Sequence, residues 1–295
     1  MKLSDIGEFG FIDRIEPLSI VRKAGVIKGI GDDCAVIDME GEDYLLVTTD
    51  LLVERVHYMM DWAGPRVIGE KALAVNLSDI AACGGTPMDA FISLAIPSDI
   101  TIEWLDGLYE GMASLGRKYN CNLLGGDTTG SVSDLIINIT VTGRVNKNKV
   151  LYRHTAQPGD IIIVTGPLGA SAAGLDLLLK DNREARDLFP QLTETHLSPR
   201  PHLEEARILA DSGFCRAAID MSDGLSSDLA HICEASEVGA VLEQSLFPVA
   251  ESLTDAGEYL GKDPMDWALH GGEVYALLAT IDEKALDELR QAFAK

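Results

Sequence analysis

Lys71-Ala72-Leu73-Ala74-Val75-Asn76-Leu77-Ser78-Asp79-Ile80-Ala81-Ala82 decides how this chain is read. The segment sits in a helix expected over Arg66 to Cys83 and closed by Gly84-Gly85, since glycine readily takes the left-handed conformation that ends helices. Asn76, Ser78 and Asp79 interrupt an otherwise apolar run. Their side chains compete with the helix backbone for hydrogen bonds, and a buried carboxylate without a partner is costly. Asp79 is therefore expected to meet a ligand, either a metal ion or a hydrogen-bond donor.

Four further acidic clusters extend the pattern: Gly31-Asp32-Asp33, Thr48-Thr49-Asp50, Gly125-Gly126-Asp127-Thr128-Thr129 and Asp220-Met221-Ser222-Asp223-Gly224. All are expected where strands or helices meet turns. Taken singly, Gly31-Asp32-Asp33 reads as a turn, and Gly126-Asp127-Thr128-Thr129 as a helix start capped by Asp127 or Thr128, or as a hairpin turn. Asp220 and Asp223 flank a strand-to-helix turn, and ligands bind at the carboxyl ends of strands in α/β sheets. Asp220 is expected to be a metal ligand, and Asp223 a ligand or a cap. Together the clusters supply only carboxylate and hydroxyl oxygens, the donors Mg²⁺ takes alongside substrate phosphates. They read as a split cage for hard cations and a nucleotide triphosphate.

Working outward, Tyr44 to Thr49 and Leu135 to Val141 read as strands and Trp104 to Tyr119 as a helix. Ile161 to Val164 followed by Ala170 to Leu179 is a strand-helix unit. Ala217 to Ile219, Ser226 to Ala235, Tyr275 to Thr280 and Glu283 to Phe293 continue the alternation as strand, helix, strand and helix. The polar stretch Asn146 to Pro158 marks a boundary, and Arg183 to Pro201 an excursion inside the second unit. The fold expected is α/β with α+β character in two domains, 1–148 and 149–295, as a chain of 295 residues allows.

The chain has no Walker-type loop, and Gly166-Pro167-Leu168-Gly169-Ala170-Ser171 fits helix-sheet packing as well as anion binding. Arg153 is a candidate phosphate clamp. His57, His154, His196, His202, His231 and His270 stand at no spacing that suggests a nucleophilic set, which disfavours side-chain nucleophilic hydrolysis. A formal charge of -23 argues against nucleic acid and anionic membranes as partners. Five cysteines without Cys-x-x-Cys spacing, and no apolar leader, fit reduced thiols in a cytoplasm.

The ordered series Ile30–Ala35, Thr48–Glu54, Lys71–Ala82, Gly125–Thr129, Gln157-Pro158-Gly159-Asp160, Asp220–Leu225 and Gly271-Gly272-Glu273 resembles the thiamine-monophosphate kinase family across nearly the whole chain. That family is related to aminoimidazole ribonucleotide synthetase, selenophosphate synthetase and a hydrogenase maturation factor. The resemblance implies a two-domain aminoimidazole ribonucleotide synthetase-like fold and a homodimer pairing N-terminal sheets. It also implies transfer of a phosphoryl group from ATP to thiamine monophosphate. By motif position, Asp33, Thr48, Thr49, Asp50, Asp79, Asp127, Asp220 and Asp223 would hold Mg²⁺. Gly126, Arg153, Ser222 and Tyr109 would contact ATP, and His57 and Glu273 the acceptor.

Two features depart from the family. Its Gly-Gly-Glu-Asp-Tyr-Glu-Leu stretch reads Gly271-Gly272-Glu273-Val274-Tyr275-Ala276-Leu277, and Lys295 precedes the strands and the aromatic residue that would stack on thiamine, so weaker acceptor binding is expected. The alternatives are an ATP-dependent ligase of the ribonucleotide-synthetase type and a nucleotide-binding module without turnover.

Overall fold

A computed structural model of the chain describes residues 2–180 and 183–294. Its first part runs α1 (Gly7–Ser19), β1 (Val26–Lys28), β2 (Ala35–Asp38), β3 (Asp43–Val53), α2 (Pro65–Ala82), β4 (Thr86–Ile96), α3 (Ile102–Tyr119), β5 (Asn122–Gly130) and β6 (Ile136–Asn146). These strands form one sheet in the order β1-β2-β3-β6-β4-β5. All neighbours are antiparallel except β4 and β5, which α3 connects as the crossover a parallel pair requires.

Strand periodicity sorts this sheet into two faces. Leu46, Thr48 and Leu52 of β3, Ile137, Ile139 and Val141 of β6, and Ala90, Ile92 and Leu94 of β4 are buried beneath α2 and α3. Those helices touch backbone to backbone: a Cβ on Gly69 would lie 2.0 Å from the Leu108 carbonyl oxygen, and one on Gly111 1.9 Å from that of Arg66. The other face is open. There Thr49, Thr140 and Phe91 are register neighbours, as are Leu51, Asn138, Ser93 and Asp127, with Leu51 50% and Phe91 40% exposed.

The second part contains β7 (Ile161–Val164), α4 (Ala170–Leu179), α5 (Arg183–Leu188), α6 (Pro190–Leu197), α7 (Leu203–Ser212), β8 (Cys215–Asp220), α8 (Leu225–Ser236), α9 (Leu253–Leu260), α10 (Pro264–His270), β9 (Leu277–Ile281) and α11 (Leu286–Phe293). A three-stranded antiparallel sheet, β7-β9-β8, is its centre. The main core runs through both parts: Leu77 and Ile80 of α2 share it with Leu209 of α7, Ala218 of β8 and Leu277 of β9. Beyond its exposed first turn, helix α2 is therefore covered on nearly every side, which is why it carries apolar residues all round rather than on one stripe.

The alternation of strands and helices is present, and the pairing gives it α+β character. Three local readings change. Strand β3 does not stop at Thr49 but continues to Val53, placing Thr48-Thr49-Asp50 inside a strand. Gly125–Thr129 is neither a helix start nor a hairpin; it lies in edge strand β5, where Gly126 packs so tightly on β4 that a Cβ would fall 1.5 Å from the Ile92 carbonyl oxygen. The excursion at Arg183 to Pro201 folds into α5 and α6.

Candidate active site

The polar residues in the middle of α2 reach two strands, Asn76 and Asp79 meeting β3 and Ser78 the end of β8. The Asn76 Oδ1 accepts the backbone N–H of Asp50 (3.1 Å), while its Nδ2 donates to the Ala72 carbonyl (3.1 Å), so the buried amide is satisfied and fixes β3 beside the helix. Ser78 Oγ donates to Asp220 Oδ2 at 2.6 Å, tying the end of β8 to α2. Asp79 accepts the Thr48 hydroxyl. Leaving one such buried group without a partner costs about 1–3 kcal/mol, so the motif fixes the position of the acids as well as supplying one.

The result is a buried carboxylate centre. One oxygen each of Asp33, Asp79 and Asp220 lie within 4.8 Å of one another. The carboxyl group of Asp50 adjoins that of Asp79, and its charge acts on it. The Asp33 side chain is 1% exposed and ion-paired to Arg153, yet its Oδ2 has no hydrogen-bond partner among the described residues. Ligands on one octahedral Mg²⁺, at 2.0–2.1 Å from the ion, stand about 3 Å apart when adjacent and about 4 Å apart when opposite. An all-oxygen set at this spacing, with an unpartnered carboxylate oxygen inside it, fits one or two such ions.

Burial and mutual repulsion raise the proton affinity of these groups. Burial, then the charges of Asp50, Asp220 and Asp33, pushes Asp79 well above the usual carboxylate range. Burial and the Asp33 charge do the same to Asp220, partly offset by the Ser78 hydroxyl. Asp50 is pushed up to about 6 by burial, with the neighbouring Asp79 acting the other way. Burial and the Asp33 charge bring Asp32 to about 7. Asp228, 1% exposed, rises to about 7 through burial and the charge of Asp223.

A raised folded-state pKa means that the native protein binds protons more tightly than the unfolded chain, so stability is fullest below the unfolded carboxylate value and is lost as pH rises through the folded one. In chelator, the melting temperature is expected to fall by several degrees between about pH 5 and about pH 8, the window set by Asp50, Asp32 and Asp228. A thermal melt series checks this, and Mg²⁺ should restore the loss at the upper end. A melting temperature that climbs over the same interval would contradict the arrangement.

The remaining expected residues divide by position. Thr48, Asp33, Asp50, Asp79 and Asp220 come together on the helix side. Thr49 lies on the opposite, open face, where its hydroxyl meets Asn138 (3.0 Å), Thr140 (3.1 Å) and the Ile139 carbonyl (3.2 Å). Asp127 shares that face, three strands from β3 or about 14 Å at ordinary strand spacing, and its Oδ1 accepts the Thr128 N–H at 2.8 Å. Within one chain neither joins the buried centre. Ser222 and Asp223 are exposed in the turn after β8, and Asp228 accepts the N–H groups of Asp223 (3.3 Å) and Gly224 (3.0 Å). Tyr109 is 39% exposed on α3.

His57 uses Nδ1 to accept the Val53 N–H at 3.0 Å. Glu273 pairs at 2.5 Å with Lys71, whose side chain is 3% exposed and which is not among the expected site residues. The signal was available: a lysine inside an apolar helix that is covered on nearly all sides needs an anion. The two departures at positions 274 and 276 are accommodated by packing, since Ala276 is 1% exposed in the second part's core and Val274 packs against the same cluster.

AIR synthase related protein, N-terminal domain, matches residues 31–145, and AIR synthase related protein, C-terminal domain, matches residues 157–295. Thiamine-monophosphate kinase of Bacillus subtilis (strain 168) is 38% identical over 290 residues, 97% of this chain and 87% of that protein. Among solved structures, AaThiL complexed with AMPPCP and TMP superposes with a TM-score of 0.88 at 34% identity, covering 96% of this chain and 88% of that one. Thiamine monophosphate kinase (ThiL) from Aquifex aeolicus gives 0.84 at 30% identity, over 96% and 90% of the two chains. The chain thus belongs to the thiamine-monophosphate kinase family, within the AIR synthase related proteins.

Proposed function

We propose that this protein transfers the γ-phosphoryl group of ATP to the phosphate of thiamine monophosphate, giving thiamine diphosphate and ADP. The observation that carries the reading is the buried all-oxygen centre of Asp33, Asp79 and Asp220 with Arg153 beside it, in a chain of this family. Asp33, Thr48, Asp50, Asp79 and Asp220 would hold Mg²⁺ on the helix side, Thr49 and Asp127 from the open face, and Asp223 at the turn after β8. Gly126, Arg153, Ser222 and Tyr109 are assigned to ATP, and His57 and Glu273 to the acceptor. Residues 1–148 would form the nucleotide-binding and dimerisation domain, and 149–295 the C-terminal domain.

No side chain has to act as a base. A phosphate monoester with a second pKa near ~6 is largely dianionic at neutral pH, so its oxygen can form the new bond to the γ-phosphorus as the bond to the ADP oxygen breaks. Bound Mg²⁺ would supply charge neutralisation between the two polyanions. The chain's part is positional. Asn76 fixes Asp50, Ser78 fixes Asp220, and Arg153 places a permanent cation at the rim of the acids.

A homodimer is supported by the open sheet face. A second copy seated there would cover Leu51 and Phe91 and give Thr49 and Asp127 a facing sheet, the setting that their distance from the buried centre calls for. A cytoplasmic location is supported by five free cysteines, three of them buried. Among the described residues, no helix is long and apolar enough to cross a membrane.

The test is an acceptor panel in a coupled ADP-release assay. Release is expected with Mg²⁺, ATP and thiamine monophosphate together, and not when the acceptor is omitted. Release with formylglycinamidine ribonucleotide but none with thiamine monophosphate would replace the kinase by the ligase. Nucleotide binding without release on any acceptor would leave a binding module.

A further inference from the structure

Away from the carboxylate centre, α2 carries a second polar group that joins both parts of the chain. The buried Lys71 ammonium donates to Glu273 Oε2 at 2.5 Å and to the His57 carbonyl at 3.2 Å, so one cation ties together the two residues assigned to the acceptor. The Glu273 side chain is 24% exposed: it is held from inside and presented outward. Its backbone is also constrained, with φ at 55° and its N–H donating to the Ser222 carbonyl at 2.7 Å.

An aromatic pair adjoins this carboxylate. His196, 2% exposed on α6, has Nδ1 3.9 Å from Glu273 Oε2 and 3.1 Å from Ser171 Oγ. Burial, and then the Lys71 charge, pushes its pKa down to about 4, so the ring is neutral at physiological pH. Half-buried Trp62 packs against it, ring centroids 6.2 Å apart and planes at 68°. The other indoles are committed elsewhere: Trp267 is 6% exposed and donates Nε1–H to Asp176 at 2.6 Å, and Trp104 packs on the main core from α3.

The spacing along α2 connects this group to the phosphate end. Asp79 stands eight positions after Lys71, about 12 Å at the helical rise, a span comparable with the length of a two-ring phosphate ester. An acceptor whose phosphate lies at the acids would therefore bring its organic end to Glu273 and Trp62. Thiamine's thiazolium ring carries a permanent positive charge, and its aminopyrimidine is a flat ring with an amine donor. Aromatic faces attract such cations, and carboxylates accept such amines.

We infer that Trp62 is a specificity-determining residue: its indole, braced by His196, takes the cationic two-ring end of the acceptor beside Glu273, the carboxylate that Lys71 holds. This rests on the proposed function. Trp62→Ala is expected to raise KM for thiamine monophosphate about tenfold, as the loss of an aromatic-cation contact would, while KM for ATP and kcat stay within about twofold. Trp62→Phe, which keeps a ring, should recover most of the affinity. Thiamine monophosphate should also quench indole fluorescence in the unaltered protein and not in Trp62→Phe, a reading that holds even if the alanine variant folds poorly.

An unchanged KM for thiamine monophosphate in Trp62→Ala, or quenching that persists in Trp62→Phe, would overturn the inference. The two proposals fail separately. If the unaltered protein transfers no phosphate to thiamine monophosphate, the proposed function falls; if it does so and the indole at position 62 does not respond, only the role of Trp62 falls.

Discussion

Asp79→Asn is expected to lower turnover by at least about three orders of magnitude without loss of the fold. The side chain sits between Thr48, Asp50, Asp33 and Asp220, and asparagine keeps its shape and can still accept the Thr48 hydroxyl. What disappears is one negative charge in a site where burial already opposes charge. The metal-free protein should therefore melt at the same temperature or higher, because repulsion among the remaining acids is relieved. Steady-state ADP release, with melting in chelator alongside it, separates the two effects. If the variant unfolds while its folded fraction keeps near-normal activity, the carboxylate is structural and the cage argument fails at that position.

Chelating divalent cations should abolish turnover and, separately, abolish nucleotide binding. Two like unit charges 4 Å apart repel by about 4 kcal/mol at an effective dielectric constant of 20, and a triphosphate beside these acids makes several such pairs. Arg153 is the one cation ion-paired with the acids of this centre among the described residues, and it already faces Asp33. A single guanidinium cannot offset that repulsion. Calorimetry with a non-hydrolysable ATP analogue is expected to show binding with Mg²⁺ and none in chelator, restored on adding Mg²⁺ back. Equal affinity in both conditions would mean that the nucleotide sits away from the carboxylates.

How much of this was readable from the residues depended on the kind of signal. Asn76, Ser78 and Asp79 stood out because polar side chains inside an apolar helix need partners, and the structure supplies one for each. Ile161–Val164 and Ala170–Leu179 were legible to the residue, an apolar run and a small-residue helix separated by glycine and proline. Strand β5 was not: Gly125, Gly126, Asp127 and Gly130 are residue types depleted in strands, and pairing with β4 overrides their local preference.

Part of the split of the metal residues was legible: Thr48 and Thr49 both fall inside the strand expected from Tyr44 to Thr49, and alternation puts them on opposite faces. Only carrying β3 through to Val53 adds Asp50 to the face of Thr48. Lys71 left a faint signal, a charge in a helix with almost no solvent side. Trp62 and His196 left none, because their meeting depends on how α6 packs against the loop before α2, which no local pattern encodes.

One phosphoryl group is expected to pass from ATP to the phosphate of the acceptor. Phosphorus-31 NMR of the protein with Mg²⁺, ATP and thiamine monophosphate reads this directly. The monophosphate resonance is expected to be replaced by the two coupled resonances of thiamine diphosphate in step with ADP, with no inorganic phosphate. Inorganic phosphate in place of thiamine diphosphate, or an unchanged monophosphate signal while ATP is consumed, would contradict it.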